Sequence, residues 1–165
     1  MNNFIFLDID GVLNNDTTTA KSPNGYVGLS DKLLKRLKAF KKDVNGIIIL
    51  TSTWKDASKE DYDYMMRKLR KFDCVPLGRT YEKVTKGEEL RGQGIEKYIK
   101  DNEITNYVIF DDCLYDFDKY PDIMKRLVFV NYHFGLTDED VENAKKILSN
   151  EKVEIGNFEE GSYHR

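Results

Sequence analysis

Apolar and polar positions alternate along the chain between short buried runs and helical stripes. Phe4-Ile5-Phe6-Leu7, within 3–9, is apolar without alternation and ends near Gly11, the pattern of a strand covered on both faces. Residues 14–28 are polar and turn-rich, with Thr17, Thr18, Thr19, Pro23, Asn24 and Gly25, and predict a loop or small hairpin. Ser30 is placed to cap a helix through about Lys41, whose stripe is Leu33, Leu34, Leu37 and Phe40. Asn45-Gly46 breaks it, and 46–50 predicts a second buried strand. Between 59 and 72, Tyr62, Met65, Met66, Leu69 and Phe72 stand at helical spacing, a stripe suited to a core. Residues 74–77 predict a short third strand and 78–89 a polar loop, before a helix carrying Ile95, Tyr98 and Ile99. Strands are predicted at 107–110 and 127–131, with 115–125 ambiguous around Pro121. Thr137 caps a last helix carrying Val141, Ala144, Ile147 and Leu148, and the tail after Asn150 is acidic and weakly patterned.

Strands apolar on both faces that alternate with helices predict an α/β protein: a three-layer, Rossmann-like fold around a mainly parallel sheet of about five strands. A length of 165 residues fits one domain spanning 1–165, with 14–28 as its flap. The 40% apolar content excludes a disordered chain despite 33% charged residues. Cys74 and Cys113 lack metal-ligand spacing and are too few for a disulfide framework, which fits a reducing compartment. The longest apolar run, Ile47-Ile48-Ile49-Leu50, is too short to span a bilayer, and 1–7 lead into a strand rather than a signal peptide. The expectation is a soluble cytoplasmic domain with no membrane partner. A net charge of −3 hides an asymmetry: the balance is −3 over 1–31, +7 over 32–91 and −7 over 92–165.

Ligands of open parallel sheets bind beyond the carboxyl ends of the strands. Three such ends carry chemistry here: Asp8-Ile9-Asp10-Gly11-Val12, Thr51-Ser52-Thr53, and Asp111-Asp112 with Asp116 four residues on. That many carboxylates at one sheet edge repel unless a cation neutralises them, and an all-oxygen set favours a hard ion, magnesium first. The bland alternative is that each aspartate caps a turn or helix after its strand. Alternation puts Asp8 and Asp10 on one side of the strand end, where one carboxylate can attack phosphorus and the other serve as acid and base. Gly11 permits a sharp turn and close approach to a phosphate. Thr51 offers a hydroxyl to a phosphoryl oxygen, and a cation from the basic segment offsets its charge.

These residues resemble the haloacid dehalogenase (HAD) superfamily, most of whose members are magnesium-dependent phosphatases. Asp8-x-Asp10-Gly11-Val12-Leu13 is similar to its first motif, Ile48-Ile49-Leu50-Thr51-Ser52 to its second, and Val108-Ile109-Phe110-Asp111-Asp112-x-x-x-Asp116 to its fourth. The third is a lone Lys or Arg. Arg91, which opens the helix feeding the Asp111 strand, is the choice, with Lys86 and Lys83 as rivals. The resemblance implies that Asp8 is the nucleophile and Asp10 the general acid/base. It implies that magnesium is held by Asp8, the Asp10 carbonyl and Asp112, with Asp111 close behind. Thr51 and Arg91 join the catalytic set; Gly11, Ser52, Lys55 and Lys86 join the substrate-binding set.

A narrower resemblance covers nearly the whole chain. Phe6-Leu-Asp-Ile-Asp-Gly-Val-Leu-Asn14, Thr51-Ser-Thr-Trp-Lys55, Arg91-Gly92 before Ile95-Glu96-Lys97-Tyr98-Ile99, Asp111-Asp112 and Gly135-Leu136-Thr137 occur in that order. They are similar to the HAD domains of multidomain bacterial RNA-repair (Swiss Army Knife) proteins and their stand-alone bacterial or phage relatives. That family usually has Trp-Arg where this chain has Trp54-Lys55. Neither gap between motifs holds a full cap domain, so the site is expected to be open, suiting a bulky phosphorylated end. Tyr26, Trp54 and Tyr81 are candidates to stack on bases, and the basic segment 32–91 to track a phosphate backbone. The first expectation is a magnesium-dependent polynucleotide end phosphatase acting on 3′-phosphates in RNA repair, and the partner expected is a phosphorylated nucleic-acid end or nucleotide. The alternatives are a small-molecule phosphatase such as a 5′(3′)-nucleotidase, with 14–28 closing over substrate, and a non-catalytic domain that binds nucleic acid or protein.

Overall fold

A computed structural model of the chain describes residues 2–81, 84–85 and 88–150. Five parallel strands form the central sheet: β1 (Asn3–Leu7), β2 (Gly46–Leu50), β3 (Gly78–Arg79), then β6 (Tyr107–Asp111) and β7 (Leu127–Phe129), in the order β3-β2-β1-β6-β7. Between β3 and β6 lies a separate antiparallel hairpin of β4 (Val84–Thr85) and β5 (Glu88–Glu89). The helices are α1 (Asp31–Val44), α2 (Lys59–Lys71), α3 (Arg91–Asp101), α4 (Pro121–Met124) and α5 (Asp138–Leu148).

The sheet's pleat sorts its apolar side chains into two cores. Ile5, Leu7, Ile48, Leu50, Val108 and Phe110 pack on one side with Leu33, Leu37 and Phe40 of α1, Met65 and Leu69 of α2 and Ala144 and Ile147 of α5. Phe6, Ile49, Tyr107 and Ile109 pack on the other with Ile95 of α3 and Ile123 of α4. This is the three-layer α/β architecture expected from strands without polar alternation. From β1 the chain steps outward to β2 and β3, then returns to the other flank for β6 and β7. The crevice between β1 and β6 is therefore the topological switch point, where open sheets bind ligands.

Several boundaries differ from the sequence expectation. Regular β1 pairing stops at Leu7 rather than residue 9, because Val12 N and Leu13 N donate back to Ile9 O in a tight turn. The third strand begins at Gly78, not Cys74: Asp73 adopts a left-handed conformation (φ 56) that ends α2, and Cys74 is spent on core packing. The loop expected over 78–89 includes β3 and the β4–β5 hairpin. The ambiguous 115–125 stretch becomes a 3-10 turn (Phe117–Lys119) and α4, with Pro121 at its first position, where a missing N–H costs nothing. The 14–28 segment, expected as a loop or small hairpin, is cross-linked to its surroundings. Asn24 N reaches Asp61 and its amide Ser58, Lys21 bridges Val27, and Leu29 N donates to Tyr64 Oη. The acidic tail lies outside the described residues, and none of the described helices is long and apolar enough to cross a membrane.

Helix α5 starts in a reciprocal capping box: Thr137 Oγ1 accepts from Asp140 N and Asp140 accepts from Thr137 N. Thr137→Ala is expected to cost about 1 kcal/mol, lowering the thermal midpoint by roughly 2–4 °C with activity unchanged, as read by calorimetry.

Candidate active site

Asp8 and Asp111 stand at the ends of the two strands flanking the switch point, and Arg91 lies between them. Its Nη1 is 3.0 Å from Asp8 Oδ1 and 2.8 Å from Asp111 Oδ2, with all three side chains buried. Arg91 occupies the first position of α3, where a cation opposes the helix dipole. Two neighbours offset this. The Tyr115 ring faces the guanidinium at 4.3 Å, and Asp116 accepts from Gly92 N (2.6 Å) and Gln93 N (3.1 Å), capping α3 from 24 residues away. Tyr115 reaches that place through a left-handed backbone, φ 46. Asp116, expected beside the metal, thus serves as the α3 cap: the backbone turn at Tyr115 sends its carboxylate to the helix.

Ligand oxygens of Asp8, Asp111 and Asp112 lie within 4.8 Å of one another. Thr51 Oγ1 and both Asp112 oxygens are, among the described residues, the buried side-chain polar atoms with no hydrogen-bond partner. Such atoms are costly unless a ligand completes them. Asp112 faces the carboxylate of Asp8, which offers no proton when ionised. Burial is the main cause that pushes Asp112 up to about 10, reinforced by the charges of Asp8 and Asp111. Burial likewise pushes Asp111 up to about 8, with Arg91 pulling it back and Asp8 raising it. With all three ionised, the carboxylates against one guanidinium would leave two negative charges, and the donors are all hard oxygens. The residues present fit a divalent cation.

Gly11 is required by both conformation and space. Its φ is +78°, and a Cβ there would stand 2.2 Å from Asp112 Oδ2. Its N–H donates to Asn14 Oδ1 at 2.8 Å, so Gly11 makes room for Asp112 while its amide is held within the turn. The Asp10 carboxylate lies outside the three-carboxylate group; its Oδ1 accepts from Asn14 Nδ2 (2.9 Å) and Trp54 Nε1 (3.0 Å). Ser52 Oγ accepts from Trp54 N and caps a 3-10 turn over Thr53–Asp56. Lys55 is buried, with Nζ 3.3 Å from the carbonyls of both Thr51 and Ser52, so it braces the end of β2. Arg79, just past β2 on the neighbouring strand, donates to Lys55 O at 3.2 Å.

Arg91, the choice for the third-motif cation, meets Asp8 and Asp111, while its rivals Lys83 and Lys86 lie outside the described residues. Trp54, a candidate stacking platform, is fully buried against Tyr64, so it offers no face to a base. Tyr26 and Tyr81 are exposed, and Tyr81 lies beneath the Arg79 guanidinium with its hydroxyl accepting from Arg79 Nε. Much of the basic segment is placed by helix ends. Lys41 and Lys42 occupy the last turn of α1, which Asn3 ties to the edge where the strands begin, away from Asp8. Sequence reasoning assigned Asn14 no role of its own, and it placed Asp116 among the strand-end carboxylates rather than at the helix it caps.

In the unfolded chain Asp111 and Asp112 titrate at the ordinary 3.8. Their raised folded values mean that the metal-free fold holds protons the unfolded chain has released, so their contribution is fully present below about pH 4 and lost as pH rises through about 8 for Asp111 and about 10 for Asp112. The expected outcome is a thermal midpoint of the metal-free protein that declines over this range. Millimolar magnesium should raise the midpoint more at about pH 8 than at about pH 5, since it binds the ionised carboxylates.

No curated protein and no solved structure matches the chain. A family model described as the HAD domain in Swiss Army Knife RNA repair proteins matches residues 4–141, from β1 into α5 and through every site residue named above. With the parallel five-stranded sheet and the buried acidic group at its switch point, the chain has the catalytic architecture of a phosphatase, and it belongs to the haloacid dehalogenase family represented by the HAD domain of Swiss Army Knife RNA repair proteins.

Proposed function

We propose that the protein removes the terminal phosphate from a nucleic-acid 3′ end through an aspartyl-phosphate on Asp8, with magnesium as cofactor. The observation that carries the chemistry is the buried group of Asp8, Arg91, Asp111 and Asp112 at the switch point. Arg91 Nη1, 3.0 Å from Asp8 Oδ1, orients the Asp8 carboxylate, and Asp8 attacks phosphorus in line with the departing oxygen. Asp10 donates a proton to that oxygen and then takes one from the water that releases phosphate. The Thr51 hydroxyl, buried at the end of β2, donates to a phosphoryl oxygen. Asp8, Asp111 and Asp112 with the Asp10 carbonyl would hold magnesium, which would supply positive charge to offset that of the phosphoryl group.

The polynucleotide substrate is supported by three features. The family's members occur in RNA-repair proteins. The described excursions near the strand ends are a flap and a hairpin, neither of domain size. Exposed Tyr81 with its Arg79 neighbour offers a stacking surface past the end of β3, beside the loop that Lys55 braces. The cross-links of Asn24 and Leu29 to α2 and its capping Ser58 argue against residues 14–28 acting as a lid on a small substrate.

The test is magnesium-dependent phosphate release from 3′-phosphorylated and 5′-phosphorylated oligonucleotides and from mononucleotides. The 3′ end is expected to be preferred, with Asp8→Asn reducing kcat by at least about 10³-fold. Preference for mononucleotides overturns the substrate assignment, and full activity in Asp8→Asn overturns the nucleophile. Tyr81→Ala should raise KM for the oligonucleotide by about 5- to 100-fold while leaving hydrolysis of p-nitrophenyl phosphate unchanged.

A further inference from the structure

Trp54 follows the Thr51–Ser52 pair and is fully buried, its ring centroid 6.3 Å from that of Tyr64. An indole nitrogen only donates, and a buried one takes an acceptor. Here the acceptor is Asp10 Oδ1 at 3.0 Å, not a backbone carbonyl. Asn14 Nδ2 donates to the same oxygen at 2.9 Å. The two donors come from different elements, the turn after β1 and the 3-10 turn after β2, and each is held in turn. Asn14 accepts from Gly11 N and donates to Gly28 O, while Trp54 N donates to Ser52 Oγ. Two donors from separate elements fix an oxygen at the end of a side chain with only two torsions.

We propose that Trp54 is a positioning residue for proton transfer, its indole N–H holding the Asp10 carboxyl at the leaving oxygen of the substrate. The inference rests on the assignment of Asp10 as general acid/base above. As an Asp8 oxygen bonds to phosphorus, the phosphorus–ester oxygen bond breaks and the Asp10 proton passes to the departing oxygen. In the second half Asp10 takes a proton from water, the water oxygen bonds to phosphorus, and the bond to Asp8 breaks. An acid displaced by about 1 Å loses on the order of 100-fold, but only where the leaving group needs its proton.

That dependence supplies the test. Trp54 is the chain's one tryptophan, so 3-benzothienylalanine, which keeps the ring shape and replaces N–H with sulfur, enters at a single position by biosynthetic incorporation. This protein and Trp54→Phe are compared with the parent on glycerol 2-phosphate, whose alkoxide must be protonated, and on p-nitrophenyl phosphate, whose phenolate leaves unaided. The expected result is a fall in kcat/KM of about 10- to 100-fold on the alkyl ester and less than about threefold on the aryl ester. An equal fall on both, or none on either, overturns the inference while leaving the phosphatase standing. If the parent releases phosphate with magnesium from neither ester nor from a 3′-phosphorylated oligonucleotide, the proposed function itself falls. The sulfur analogue keeps the core volume, so it decides the matter even where Trp54→Phe fails to fold.

Discussion

Buried negative charge is the constraint around which this molecule is arranged. Asp8, Asp111 and Asp112 are brought together where burial makes each ionised carboxylate expensive, and Arg91 compensates only part of the sum. A surface cation would be hydrated and mobile. Arg91 is instead sealed between the two strand ends, with Tyr115 on its face and Asp116 securing the helix it opens. The remaining charge is what makes a divalent cation at home in the crevice, and what leaves both Asp112 oxygens waiting for one.

The acidic motifs were legible in the sequence because strand ends, glycine turns and carboxylate pairs are one-dimensional signals. The sheet was legible for the same reason: Phe4 to Leu7, Ile47 to Leu50 and Val108 to Phe110 carry no polar alternation, so they need cover on both faces. The supports were harder to see. Asp116 sits at the spacing of a metal ligand, yet the left-handed turn at Tyr115 delivers it to the amides of Gly92 and Gln93. Spacing counts residues but does not encode that change of direction.

Trp54 and the basic segment show the same limit. An aromatic next to a phosphate motif reads equally as a platform for bases or as core, and only packing against Tyr64 decides for core. Lysines of 32–91 read as a surface for phosphates. In the fold, Lys41 and Lys42 complete the last turn of α1, and Lys68 pairs with Asp31 at that helix's start. Helix electrostatics places such cations without reference to any substrate. The short third strand slid to Gly78 because two residues of pairing are too few to leave a periodic trace.

The two cores give the site a mechanical character. Asp10 is tied through Trp54 to the layer of α1, α2 and α5, whereas Arg91 belongs to α3 in the opposite layer. The sheet is the spacer between them, and Asp8 at the end of β1 is the hinge point where both layers take hold. The spacing of acid and cation is therefore set by how the two helix layers sit on the sheet. The fold thus has the two-sided build of an enzyme whose site lies between domains, with a strand in place of a cleft.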